Sequence, residues 1–141
     1  LAKECPNIKA VKEASGDLVA ASEIARLTPD DFMIYSGEDS LTLPLLSIGA
    51  CGVISVAGHV AGKDINAMIQ AFENGNTKEA QRLHLYLLPL FKGMFITTNP
   101  IPVKTAVSIM GLPAGPFRLP MVDATPEETI LIKSFVEQYA K

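Results

Sequence analysis

The sequence predicts an α/β protein on a parallel sheet: three consecutive βα units followed by a run of helices. Three observations predict it. Short β-type runs at 8–14 (IKAVKEA), 32–36 (FMIYS) and 51–56 (CGVISV) each lead into a glycine, and these glycines, Gly16, Gly37 and Gly58, are spaced 21 residues apart. Helical spacing fills the intervals between them, and beyond Gly58 only helical patterns occur. Strands that do not alternate cleanly and are joined through helices belong to a parallel sheet covered on its outer face.

After the first strand, Asp17 is placed to cap DLVAASEIARL, in which Leu18, Ala21, Ile24 and Ala25 recur near helical spacing. Thr28 and Pro29 end it, and Asp30 and Asp31 read as turn carboxylates. After the second strand, LTLPLLSIG forms a short apolar helix, where Pro44 is tolerated within the first turn and Gly49 closes the end. Helices follow over 62–75, stopped by Asn74 and Gly75, over 77–91, with Thr77 as cap and Pro89 as a kink, and over 101–111. The last runs over 125–141, where Thr125 caps, Pro126 takes the first helical position and Glu128, next to Glu127, completes a capping box. Asn99, Pro100, Ile101 and Pro102 fix the angle at which one helix hands over to the next.

Three βα units cannot close a barrel, and a sheet so narrow leaves two open edges. The start, LAKECPN, reads as the last turn of a helix broken before Pro6, without an initiator Met. The chain is therefore expected to be a piece of a longer one, entered in mid-element.

Apolar residues make up 48% of the 141, enough for a sizeable core. The net charge of −3, with no basic run, excludes a nucleic-acid surface and a polybasic membrane patch. No apolar segment reaches spanning length and none reads as a signal peptide, so a cytoplasmic protein acting on small molecules or with protein subunits is expected. Cys5 and Cys51 have no metal-ligand spacing and read as free, buried thiols.

The residue that calls for explanation is Lys12, in AVKEASGD (10–17), at the end of an apolar strand and just before the chain breaks at Ser15, Gly16 and Asp17. An ammonium there is neutralised, paired or reactive. Alternation sets Ile8, Ala10 and Lys12 on one face and Lys9, Val11 and Glu13 on the other, toward the helices. In parallel α/β folds, ligands gather at the carboxyl ends of the strands, which is where Lys12 stands. A desolvated lysine amine forms imines with carbonyl substrates. The alternatives are a surface pair with Glu13 or a lysine that bonds nearby carbonyls.

VKEASGDL (11–18), YSGEDSLTLPLLSIGACGVISV (35–56) and NPIPVKTAVSIMGLPAGPFRLPM (99–121) together resemble the carboxyl half of the dihydrodipicolinate synthase family, one of the lysine-dependent pyruvate aldolases. The resemblance runs over essentially the whole chain; the lysine with SGD is common to the superfamily, whereas GVISV and NPIPVK are more particular to the synthases. It implies the last part of a TIM (β/α)8 barrel over residues 1–75, with a C-terminal helical domain over 76–141. It also implies that Lys12 forms the Schiff base with pyruvate, that Gly37 lies beside the substrate through its main chain, and that Ile54 contacts pyruvate near its carboxylate. The enamine so formed attacks the aldehyde of L-aspartate 4-semialdehyde and the product cyclises, which opens lysine and diaminopimelate biosynthesis. No metal or organic cofactor is implied.

The family's tyrosine and threonine proton relay, and the arginine that receives the aldehyde substrate's carboxylate, come from the first part of the barrel and are not in this chain; Tyr35, Tyr86 and Tyr139 stand in other motifs. The implied partners are the missing amino-terminal half and further copies in a homo-oligomer, a dimer of dimers. Other aldehyde acceptors, as in N-acetylneuraminate or sugar-acid lyases, and a non-catalytic half-barrel that acts only with a complementary chain, are the rival readings.

Among the remaining residues, His59 in SVAGHVAG reads as a loop histidine bonded to a neighbouring carbonyl rather than a general base, because no orienting partner is evident. His84 reads as a packing residue. The loop 58–62 resembles a generic anion cradle but lacks the lysine of a P-loop.

Overall fold

The computed structural model describes residues 1–140. Its sheet has three parallel strands in sequence order, β1 (Ala10–Glu13), β2 (Met33–Ser36) and β3 (Gly52–Val53), with Lys12 opposite Tyr35 and Tyr35 opposite Gly52. Helix α1 (Leu18–Leu27) joins β1 to β2. A 3-10 turn (Asp39–Leu41) and α2 (Thr42–Leu46) join β2 to β3. Four helices follow: α3 (Gly58–Glu73), α4 (Thr77–Gly93), α5 (Ile101–Ile109) and α6 (Pro126–Tyr139).

The end signals of the sequence act as expected at most helices. The Asp17 carboxylate accepts from the amides of Val19 and Ala20. Pro44 falls in the first turn of α2, and Gly49 and Gly75 take the positive φ that ends a helix without a Cβ clash. The capping box at α6 is complete, with the Thr125 hydroxyl accepting from the Glu128 amide and the Glu128 carboxylate accepting from the Thr125 amide. At α4 the cap is Asn76 rather than Thr77: the Asn76 side-chain oxygen accepts from the Glu79 amide. The same helix continues through Pro89 to Gly93.

Two expectations change around the third strand. The run 51–56 is regular strand only over Gly52–Val53, flanked by the Cys51 and Ile54 amides, which donate to Ile34 and Ser36; beyond them the amides of Val56 and Ala57 donate to the Asp39 carboxylate. The loop 58–62 is helical: α3 begins at Gly58 and departs from helical angles at Ala61, so a first turn is set at an angle to the rest of the helix. The amides just before it are occupied by the chain's own carboxylate, which leaves no anion cradle. His59 is exposed on that first turn; its amide donates to the Val56 carbonyl at 3.3 Å, but among the described residues its imidazole makes no hydrogen bond, so the expected side-chain bond to a carbonyl is absent. Cys51 is exposed and Cys5 partly buried, both as free thiols; Cys51 precedes β3, where its amide donates to Ile34 without drawing the side chain inside.

The core runs through the helical layer. Ala57 just before α3, and Val60 and Ile65 within it, pack with Leu87, Leu90 and Phe91 of α4, Val103 and Ala106 of α5, and Ile132 and Val136 of α6. Gly93 lets α6 approach α4 closely, since a Cβ there would strike the Phe135 ring. Among the described residues no helix is long and apolar enough to cross a membrane.

His84 lies against Phe91 in this layer, with its Nδ1 buried and unbonded. Burial holds its pKa below the ordinary 6.5. The native state thus prefers the neutral ring, and stability should fall as pH drops through about 6.5, where the unfolded chain takes up the proton first. Urea midpoints for the chain at neutral and mildly acid pH are expected to differ by less in His84→Leu than in the unsubstituted protein.

Candidate active site

Residues on β1 and β2 alternate between two environments. Glu13, Ile34 and Ser36 are buried, whereas Lys12 and Met33 are exposed on the opposite face of the sheet. Lys12 therefore points as its alternation predicts, and Glu13 lies on the helical side, only 6% exposed. The Glu13 carboxylate accepts from the Ser15 amide at 2.8 Å, which removes the Lys12–Glu13 pair from consideration. Among the described residues, Lys12 makes no ion pair and no side-chain hydrogen bond.

The SGD sequence that follows is a chain-reversing device. The Ser15 hydroxyl accepts from the Asp17 amide, Gly16 takes φ +78°, and Asp17 then caps α1. The backbone turns away immediately after the lysine and leaves the strand end open.

Gly37 follows the end of β2, and its amide donates to the Glu13 carbonyl at 2.6 Å. A Cβ at this position would lie 2.5 Å from Ala14 Cβ, 2.9 Å from the Glu13 carbonyl oxygen and 3.0 Å from Lys12 Cε. Only glycine permits this approach, so the main chain at residue 37 lies directly against the Lys12 side chain. Ile54 follows β3; its amide donates to the Ser36 carbonyl at 2.8 Å, and its side chain is 51% exposed. Lys12, Gly37 and Ile54 thus stand at the carboxyl ends of three adjacent parallel strands. The clefts lined by Lys104, Ser108, Phe117 and Asp123, and by His59, Val103 and Val107, include none of the three.

Beneath these ends lies a network that motif reading missed. Asp39, 2% exposed, accepts from the Ser55 hydroxyl and from the amides of Val56 at 3.1 Å and Ala57 at 2.8 Å. The Ser55 hydroxyl accepts from the Gly58 amide, and the Ser36 hydroxyl donates to the Glu38 carbonyl. The partners of Asp39 lie 16 to 18 residues onward, beyond the reach of local patterns. Among the described residues, no group of three or more His, Cys, Asp or Glu side chains converges as a metal site.

Residues 1–139 match the dihydrodipicolinate synthetase family. The chain is 54% identical over 136 residues to the 4-hydroxy-tetrahydrodipicolinate synthase of Desulforamulus reducens, covering 96% of this chain and 46% of that protein. It is 59% identical over 125 residues to the synthase of the same name from Moorella thermoacetica, covering 89% of this chain and 43% of that one. The crystal structure of dihydrodipicolinate synthase from Aquifex aeolicus superposes with a TM-score of 0.92 at 42% identity, over 98% of this chain and 47% of the other. The chain spans a little under half the length of these relatives. The match over residues 1–139, the identity to these synthases and a backbone that follows the Aquifex aeolicus enzyme over 98% of the chain place the chain in the dihydrodipicolinate synthetase family.

Proposed function

We propose that the chain supplies the imine-forming lysine and part of the pyruvate pocket of a lyase that condenses pyruvate with L-aspartate 4-semialdehyde to 4-hydroxy-tetrahydrodipicolinate. On this reading, residues 1–75 are the carboxyl-terminal part of a (β/α)8 barrel, 76–141 a helical domain, and the remaining part of the barrel supplies the proton relay and the acceptor site. The observation that carries it is Lys12: an unpaired ammonium at a strand end, against Gly37, in a chain of this family.

The free amine of Lys12 adds to the C2 carbonyl of pyruvate, and water leaves as the protonated imine forms. The cationic C=N acidifies the adjacent methyl group, which gives up a proton to a base and becomes the enamine carbon. That carbon bonds to the aldehyde carbon of the second substrate, whose oxygen takes up a proton. The amine of the second substrate then closes on the imine carbon and releases Lys12. Gly37 leaves room beside the lysine for the keto acid, and Ile54 forms an apolar wall near its carboxylate. Exposed Leu119, Val122 and Ile130 support further burial between subunits of a cytoplasmic homo-oligomer.

The test uses the whole 141-residue chain joined to the portion of the Desulforamulus reducens relative that it does not match. Pyruvate with borohydride should leave one reduced adduct, on Lys12. Peptide mapping that placed it on Lys9 or Lys104 would overturn the assignment. In the same joined protein, Ile54→Ala should raise the pyruvate concentration for half-maximal trapping about tenfold, the worth of a buried apolar side chain, with the adduct still forming at saturation. Loss of all trapping from a folded variant would remove the contact role.

A further inference from the structure

We infer that Asp39 is a positioning residue for the pyruvate pocket, acting through the turn that carries Ile54. The inference rests on the proposed reading of Lys12, Gly37 and Ile54 and adds a residue that touches no substrate in it. Ile54 is held at both ends. Its own amide donates to Ser36 at 2.8 Å, and the next three residues, Ser55, Val56 and Ala57, all donate to one buried carboxylate, that of Asp39.

Apart from the Ile54 amide, the turn takes no support from β2, because the ladder stops at Val53. Without Asp39 the amides of Val56 and Ala57 would have no acceptor, and residues 54–57 would have to rearrange to find one. The Gly58 amide is tied in as well, through the Ser55 hydroxyl at 2.7 Å. The carboxylate thus joins the end of β2, at Gly37 and Glu38, to the end of β3, at Ile54. Both sides of the proposed keto-acid site move as one frame. With all three acceptances spent on this turn and no ion pair formed among the described residues, the side chain is committed to holding residues 55–57.

The experiment measures Lys12 adduct formation against pyruvate concentration in the joined protein and its variants. An effect exerted through Ile54 is bounded by that of removing its side chain, about tenfold. Asp39→Ala is expected to raise the half-saturating pyruvate concentration by up to that factor, with the adduct rate at saturation changing less than about threefold. Asp39→Asn keeps an oxygen for the Val56 and Ala57 amides and should recover most of the loss; Ser55→Ala, which leaves those two bonds intact, should cost only a few-fold.

A purely structural role would reduce the amount of folded protein and hence the amount of adduct, not the concentration at which adduct half-forms. An unmoved half-saturation in folded Asp39→Ala overturns the inference. If that variant does not fold, an unmoved half-saturation in Ser55→Ala, which is expected to cost a few-fold, overturns it equally. Absence of any Lys12 adduct in the unsubstituted protein overturns the proposed reading and this inference together, whereas an adduct insensitive to all three substitutions overturns this inference alone.

Discussion

Lys12→Arg in the joined protein is expected to lower the condensation rate by several orders of magnitude, although it keeps a positive charge at the same strand end. A guanidinium stays protonated at every pH at which the protein is folded and has no free lone pair to add to a ketone. The larger planar head would also meet the Gly37 main chain, already close to the lysine: a Cβ there would stand only 3.0 Å from Lys12 Cε. Lys12→Ala removes the nucleophile without this crowding and should be equally inactive. The check is paired: steady-state turnover, and mass analysis after pyruvate and borohydride. Both variants should show no adduct with an unchanged fold, and turnover near that of the unsubstituted protein in either would remove Lys12 from the chemistry.

Much of this arrangement can be read from the sequence because it rests on short-range rules. The β1 alternation sets Lys12 opposite in facing to Glu13, the SGD turn reads as a strand end followed by a cap, and Thr125 with Glu128 announces a helix start. What was not legible depends on partners far along the chain. The third strand looks six residues long as an apolar run, yet it is regular only over Gly52–Val53, and beyond Ile54 a carboxylate from the preceding unit takes the amides of Val56 and Ala57. The same competition pulls Gly58 and His59 into a helix, where local glycine content reads as loop. Asn76 displaces Thr77 as a cap by a single position, a shift that side-chain preference at helix starts does not resolve. Lys12 could be singled out by position, and its reactive reading gained weight from the family resemblance. Asp39 could be singled out by neither, since its role lies in acceptances that only the folded chain assembles.

The 141-residue chain alone is expected not to turn over L-aspartate 4-semialdehyde. It matches a little under half of the relatives' length, and none of the residues that resemblance assigns to the proton relay or to the aldehyde substrate's carboxylate lies within it. General acid and base groups commonly contribute about 10²- to 10⁴-fold each, so their loss together reduces condensation below ready detection even where the imine still forms. The sheet adds a second reason. One of its faces carries exposed Lys12, Met33 at 38% exposure and, just beyond β3, Ile54 at 51%, and β1 and β3 each present an unpaired edge. In the proposed barrel, side chains from the other strands fill that face. With water there instead, the keto acid has walls on one side only. Slow trapping of pyruvate on Lys12 is therefore expected from the chain alone, and turnover only when the remaining part of the barrel is supplied. The measurement compares product formation by the chain, by the unmatched portion of the Desulforamulus reducens relative, and by the two mixed, in a host lacking its own synthase. Turnover on mixing supports the division of the site between the two parts; robust turnover by the chain alone shows that residues within it complete the relay and the acceptor site.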